Sequence, residues 1–312
     1  MEFFHKKTSY PFMGTRRRWY LVSAVLIVAS LVSLGVRGLN FGIDFTGGVV
    51  MEFSFPQAAN IEKVRADLAS AGFGDAAVQS FGTSRDVLVR LLPREGGDDV
   101  NAVGRDVLAA IQASEPGVEL RRTEVVGPQV GQELAEKGAL AILFTFVLIL
   151  AYVAVRFQWK LGVGAIVAAL HDPIVILGFF SVTGMVFDLP ALAAILAVIG
   201  YSLNDTVVVF DRLRERFISM RKGTPEQVID AAVNETLSRT IMTSLTTLLT
   251  VLSLLFFGGE VLRGFSVALT IGIVVGTYSS IYIASAMALD LKLTARDLLP
   301  VQRDKDAVDD MP

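Results

Sequence analysis

Residues 138–155 read GALAILFTFVLILAYVAV, a run with no charged side chain anywhere in it. An α-helix rises 1.5 Å per residue, and a bilayer core of about 30 Å takes about 20 apolar residues to cross. Five more stretches have comparable length and apolarity: Trp19–Val36, Leu161–Thr183, Pro190–Phe210, Leu237–Phe257 and Gly264–Leu289. The chain is therefore expected to be an α-helical polytopic membrane protein with six transmembrane helices. The first run is longer than the hydrophobic region of a signal peptide and no Ala-x-Ala site follows it, so it is expected to stay as a span.

Composition agrees with this reading. Of 312 residues, 53% are hydrophobic and 19% charged, against roughly 25% charged in soluble domains. Disorder is excluded, because it requires low hydrophobicity and high net charge. Lys and Arg number 28 against 31 Asp and Glu, a net charge of −3, so no basic excess points to nucleic acid. The absence of cysteine removes disulfides, thiolate metal sites and cysteine nucleophiles, and two histidines argue against a histidine-rich metal centre. No Gly-x-x-x-x-Gly-Lys loop offers a nucleotide cradle. No cofactor and no metal are expected.

Basic residues near helix ends set orientation. They collect in segment 1–18 (Lys6, Lys7, Arg16, Arg17, Arg18), between the second and third runs (Arg156, Lys160), between the fourth and fifth (Arg212, Arg214, Arg216, Arg221, Lys222), and in the tail 292–312 (Lys292, Arg296, Arg303, Lys305). All of these connections fall on one side, so both termini are expected in the cytoplasm. Helix one, 19–36, then leads outward into an insert, 40–137. The remaining five spans occupy 138–291, with a cytoplasmic amphipathic segment at 212–233. There Phe217, Met220, Val228 and Ala232 are placed to lie on the membrane surface. Thr224 followed by Pro225 predicts a helix start, and the tail is expected to be flexible.

The insert carries its own pattern. Val49–Phe55 alternates Met51, Phe53 and Phe55 with Glu52 and Ser54, which predicts a strand. Gln57–Ala71 spaces Ile61, Val64 and Leu68 at helical period, and Val100–Ala113 does the same with Val103, Val107 and Ile111. Ala76–Phe81, Asp86–Leu92 and Val118–Val126 read as strands. The order β-α-β-β-α-β predicts a small α+β ferredoxin-like domain outside the cytoplasm.

Ionisable residues inside the runs carry the functional signal. A charge at mid-membrane costs about 2.5–3.5 kcal/mol even on the lenient insertion scale, so such residues are rare and placed for a purpose. His171 and Asp172 precede Pro173 in the third run, Asp205 follows Asn204 in the fourth, and Arg239 opens the fifth. Asp205 and Arg239 lie at similar depth. A stripe of Thr243, Thr246 or Thr247, Thr250 and Ser253 continues from Arg239 on one helix face, and Tyr201, Ser202 and Asp205 share a face of the fourth helix. Two such faces predict a hydrated path through the bundle. Other readings stand beside this one. Asp205 and Arg239 would also serve as a structural ion pair, Arg239 as a snorkelling residue, and His171-Asp172 as capping groups at a proline kink. Gly272-x-x-x-Gly276 predicts close helix packing.

Several ordered motifs resemble a known family. Phe41-Gly42-Ile43-Asp44-Phe45-Thr46-Gly47-Gly48 and Val126-Gly127-Pro128-Gln129-Val130-Gly131 are similar to the two signatures of the SecF family, the smaller half of the SecD/SecF protein-export factor. His171-Asp172-Pro173, Ile199-Gly200-Tyr201-Ser202-Leu203-Asn204-Asp205-Thr206 and Ser238-Arg239-Thr240-Ile241-Met242-Thr243 resemble its membrane motifs. The resemblance spans about 16–291. It implies the resistance–nodulation–division superfamily, pairing with SecD, and association with the SecYEG channel, YajC, translocating preproteins and the bilayer. It implies an ion-gradient-driven export factor rather than an enzyme. It also implies proton coupling at Asp205 and Arg239, with Asn204, Asp172, His171 and Thr243 as further candidates. Part of that proton site is expected to belong to SecD. Two other classes remain open beside it, a small-molecule exporter of the same superfamily and a non-catalytic assembly scaffold. An intramembrane aspartyl protease using Asp172 and Asp205 lacks the Gly-x-Gly-Asp site it needs.

Overall fold

The computed structural model describes residues 8–92, 100–220 and 223–298. Lys6, Lys7, Arg221, Lys222 and the tail beyond residue 298 lie outside the described residues. A 3-10 turn, Met13–Thr15, leads into helix α1 (Arg16–Arg37). There follow β1 (Asn40–Phe41), α2 (Ile43–Thr46), β2 (Gly48–Ser54), α3 (Ile61–Ser70), β3 (Ala77–Phe81), β4 (Thr83–Leu91), α4 (Val100–Gln112) and β5 (Glu119–Val126). The rest is helical: α5 (Pro128–Arg156), α6 (Trp159–Thr183), a short β6 (Val186–Phe187), α7 (Leu189–Ser219) and α8 (Pro225–Phe257). After a 3-10 turn, Glu260–Leu262, the last span consists of α9 (Arg263–Ser279), a π-helical segment (Ser280–Ala284) and α10 (Ser285–Asp290), and α11 (Ala295–Leu298) follows. Six helices among the described residues are long and apolar enough to cross a membrane.

The helices overrun the apolar stretches. α5 starts at Pro128 rather than Gly138, with Gly127 as its N-cap and proline in the first turn, where the missing N–H costs nothing. The connection from the insert to the second span is therefore itself helical. α8 begins at Pro225 with a reciprocal cap: Thr224 accepts from the Gln227 amide, and the Gln227 side chain accepts from the Thr224 amide.

In the insert, β2 lies between β4 and β5, and β3 pairs with β4, all antiparallel, giving the order β3-β4-β2-β5. Met51, Phe53, Val87 and Val89 point to one face and are fully buried with Val64, Leu68, Val107 and Ile111 of α3 and α4. Burying side chains of this size yields about 1.5–3 kcal/mol each. The opposite face carries Glu52, Arg90, Arg122 and Glu124. It borders, with Asp44, Asp188 and Glu260, a cavity of about 630 Å³ beside the helix ends.

One end of the bundle gathers the basic residues into ion pairs. Arg16 pairs with Asp290, Arg156 with Asp211, Lys160 with Asp297 and Arg216 with Glu235. Met13 N–H donates to Asp230. The stretch 212–233 departs from the surface-lying expectation here. Its described residues include the end of α7 and the start of α8, and Phe217, Val228 and Ala232 are buried with Phe12, Met13, Leu293 and Leu298. A sequence window shows an apolar face without showing what covers it, and here the chain's own ends do.

Small residues let the spans approach. A Cβ on Gly178 of α6 would lie 2.0 Å from Ser30 Oγ of α1, one on Gly272 of α9 2.2 Å from Val198 of α7, and one on Gly164 of α6 2.6 Å from the Ala284 carbonyl. In lipid, where no hydrophobic force draws helices together, such backbone proximity supplies the packing. Gly272-x-x-x-Gly276 is one of these contacts.

Candidate functional site

Asp172 on α6 is completely buried. Pro173 follows it inside the helix, loosening the local backbone ladder. Its Oδ1 lies 2.9 Å from His171 Nδ1. Its Oδ2 accepts from two hydroxyls, Ser202 of α7 at 2.5 Å and Ser279 of α9 at 3.0 Å. A Cβ on Gly276 would come within 3.0 Å of Ser202 Cβ, so glycine there lets α9 approach α7 beside the carboxylate.

Asp205 on α7 is also buried. Its Oδ1 accepts from Thr240 of α8 at 2.8 Å, and its Oδ2 from Ser280 at 2.8 Å. Ser280 opens the π-helical segment, a rare distortion frequent at functional sites. Adjacent serines thus reach different aspartates on different helices. Beside them Tyr201 donates to Ser244, which bonds Thr277 of α9. An ionised carboxylate only accepts hydrogen bonds, and in each aspartate both oxygens have partners. His171 Nε2 is buried without a partner among the described residues.

The expected contact between Asp205 and Arg239 does not form. No ion pair among the described residues joins them, and Arg239 lies exposed on α8. Thr240, one residue on, faces Asp205 instead, because consecutive helical residues point about 100° apart. Thr243, Thr246, Thr250 and Ser253 are exposed as well. Each donates its hydroxyl to the carbonyl four residues earlier in its own helix, as does half-buried Thr247. The stripe therefore lies on an outward face of this chain and lines no path within it. Asn204 is exposed too, turned away from the carboxylate beside it. The structure surrounds His171, Asp172 and Asp205 with serines, of which Ser202 stood out on the polar face of the fourth helix and Ser279 and Ser280 did not. The polar cluster Thr277-Tyr278-Ser279-Ser280 in an otherwise apolar span was the available signal.

The two glycine signatures form a second constellation. Gly48 has φ +124°, and a Cβ there would sit 2.3 Å from the Leu91 carbonyl oxygen. A Cβ on Gly47 would lie 2.8 Å from Pro128 Cα, and one on Gly131 2.6 Å from the Gly47 nitrogen. The chain entering the insert and the chain leaving it thus touch backbone to backbone. Gly42 N–H donates to the Phe187 carbonyl where β1 and β6 pair in parallel. Asp44 Oδ2 accepts from the Leu189 amide at 2.8 Å, and Asp188 accepts from the Ala191 amide. Two carboxylates therefore hold the N-terminus of α7, where the helix dipole favours negative charge. Burial pushes the Asp188 carboxyl above the usual carboxylate range, and neighbouring Asp44 adds to this. Arg90 of β4 donates to the Phe41 carbonyl and to Asn40, whose amide donates to the Gly184 carbonyl. The insert is fixed by this chain of bonds to the end of α6.

Comparison with known proteins matches these features. Residues 106–294 fit the family described as protein export membrane protein SecD/SecF, C-terminal, and residues 32–59 fit the SecD/SecF GG motif. The chain is 49% identical over 306 residues to the protein translocase subunit SecF of Vibrio alginolyticus, covering 96% of both chains. To SecF of Escherichia coli O157:H7 it is 42% identical, covering 98% of this chain and 95% of that one. The crystal structure of SecDF, a translocon-associated membrane protein from Thermus thermophilus, superposes with a TM-score of 0.82 at 38% identity over 91% of this chain. SecDF in a super-membrane-facing form superposes with a TM-score of 0.69 over 93%. The chain spans 39% of the length of each SecDF chain. The matched length, the glycine signatures and the shared fold place this chain in the SecF family of protein translocase subunits, membrane transport factors rather than enzymes.

Proposed function

We propose that this chain is the SecF half of a SecDF assembly that uses the proton-motive force to help preproteins cross the bacterial cytoplasmic membrane through SecYEG, with YajC as an accessory partner. The observation that carries the reading is the carboxylate of Asp205, buried mid-bundle and held by hydroxyls from two other spans. Protonation turns an acceptor-only carboxylate into a donor with weaker acceptor oxygens, so the bonds from Thr240 and Ser280 weaken or reverse. One charge crossing 100 mV supplies about 2.3 kcal/mol, a shift of about 50-fold in a two-state equilibrium.

The exposed Arg239 supports pairing with SecD. An arginine on an outward helix face in hydrocarbon is costly, and among the described residues no ion pair within this chain engages it, Asp205 acting on it only as a charge at longer range. SecD helices packed on α8 complete the site and bring Arg239 into it with Thr243. Asn204 and His171 stand as further proton-coupling candidates. Both termini lie in the cytoplasm in this reading, which the basic residues at one bundle end support. The βαββαβ insert lies on the opposite side as a ferredoxin-like domain, and its attachment at Gly47-Gly48 and Gly131 transmits motion of the spans.

The test is precursor accumulation in cells depleted of this chain and carrying Asp205→Asn or Arg239→Met at wild-type membrane abundance. Accumulation in both supports the reading. Normal export in both leaves the chain as an assembly scaffold.

A further inference from the structure

We propose that Ser279 and Ser280 are positioning residues that join Asp172 and Asp205 into one coupled protonation unit, with the start of the π-helical segment as its moving part. The inference rests on the proton-coupling reading above and adds residues and a path to it.

Each serine hydroxyl has a single proton and two acceptors in reach. Ser279 Oγ lies 3.0 Å from Asp172 Oδ2 and 3.1 Å from the Gly276 carbonyl. Ser280 Oγ lies 2.8 Å from Asp205 Oδ2 and 3.0 Å from the Thr277 carbonyl. One hydroxyl cannot donate to both. While a carboxylate is ionised, its serine donates to it. When the carboxyl takes up a proton, the acid donates to the serine, and the serine turns its own proton to the helix carbonyl. Both serines thus have two settings, each fixed by the state of one aspartate.

The settings are linked because the residues are consecutive. The Ser280 carbonyl accepts from the Ser285 hydroxyl at 3.0 Å, so this stretch of backbone is held by side chains, and both serines are fully buried. Turning a hydroxyl moves only its proton, so the coupling runs through the shared backbone: a serine that lets go of its carboxyl frees the segment that carries the other. Gly164 of α6 lets the Ala284 carbonyl approach closely, and Gly276 does the same for Ser202 of α7. The titratable and charged groups around the pair are His171 of α6, Tyr201 of α7, Arg239 of α8, Tyr278 of α9 and Tyr282 of the π-segment. His171 and Tyr278 have ring centroids 6.0 Å apart. The unpartnered His171 Nε2 places a second titratable group at the Asp172 end.

The experiment is an infrared pH titration of the protonated-carboxyl band in membranes containing the full-length chain with SecD. The Asp205 band is assigned by its loss in Asp205→Asn. Ser279 touches Asp172 and not Asp205, so an effect of Ser279→Ala on Asp205 reads the coupling. The expected result is a displacement of the Asp205 midpoint by about half a pH unit or more, with Ser279→Thr restoring the wild-type midpoint. Asp172→Asn is expected to displace it as well, which guards against a fold defect particular to the serine variant. An Asp205 midpoint that stays at the wild-type value in Ser279→Ala and Asp172→Asn overturns the coupling and leaves the proton reading intact. An Asp205 band that never titrates between about pH 4 and about pH 9 overturns both.

Discussion

Thr240 Oγ1 donates to Asp205 Oδ1 at 2.8 Å, while Arg239, the preceding residue of α8, faces outward. The carboxylate thus meets the fifth span through a neutral hydroxyl. A hydrogen bond to a charged group is worth about 1.5–3 kcal/mol, enough to change the balance between charged and neutral Asp205 roughly tenfold or more. Thr240→Val is expected to slow precursor processing several-fold at matched abundance, and Thr240→Ser to keep it near wild type. Equal processing in the two variants would show that the hydroxyl is dispensable.

The contact between α7 and α9 has no room for a methyl group. A Cβ at Gly272 would sit 2.2 Å from Val198, and overpacking of this kind costs about 1–3 kcal/mol. Gly272→Ala is expected to lower the thermal unfolding midpoint in detergent. Val198→Ala in the same chain is expected to recover part of the loss. A double variant no more stable than Gly272→Ala alone would place the strain elsewhere.

The glycine pair before β2 is a backbone requirement. Gly48 combines a positive φ with a carbonyl oxygen 2.3 Å from where a Cβ would sit, whereas a Cβ at Gly35 in α1 would meet nothing within 4 Å. Gly48→Ala is expected to make the insert sensitive to protease in membrane preparations, and Gly35→Ala to leave it resistant. Cleavage rates that match in the two variants would refute this.

Two carboxyls outside the spans give opposite pH signatures. Hydrogen bonds from Lys160 and Thr294 hold the Asp297 carboxyl down at about 2. Its contribution is present above the unfolded value of about 3.9 and is lost as pH falls toward 2. Because the half-buried pair with Lys160 lies at the surface of the bundle end, where solvent screens it, Asp297→Asn is expected to change the unfolding midpoint only modestly at pH 7. Asp188 has its carboxyl raised, so the native state binds the extra proton, and the cost of its charge is full above the folded value and vanishes below about 3.9. Asparagine still caps a helix. Asp188→Asn is therefore expected to stabilise at pH 7 and to match wild type near pH 4. Unfolding midpoints measured across that range check both signs.

Much of the architecture was legible because single physical demands dominate it. Long apolar runs need helices, the alternation at Met51, Phe53 and Phe55 needs a strand with one buried face, and Thr224-Pro225 needs a helix start. Asp172 and Asp205 stood out because a charge within an apolar run is costly. The rotational phase of α8 was not legible. Moving a side chain from Asp205 to the outward face takes one residue, and a window of sequence does not say which of Arg239 and Thr240 faces α7. Ser279 and Ser280 were hidden for another reason. Serines in apolar helices commonly bond their own backbone, as the stripe from Thr243 to Ser253 does, and only the packing of the last span against α6 and α7 gives these two a carboxylate each.

The measurement closest to the central claim uses inverted membrane vesicles that carry SecYEG, SecD and either the wild-type chain or Asp205→Asn in equal amount. A precursor is first arrested part-way by exhausting ATP, and a proton-motive force is then imposed. Wild-type vesicles are predicted to complete translocation and Asp205→Asn vesicles to stall as if the chain were missing. Completion at the wild-type rate with Asp205→Asn would contradict the assignment of Asp205 as the protonated group.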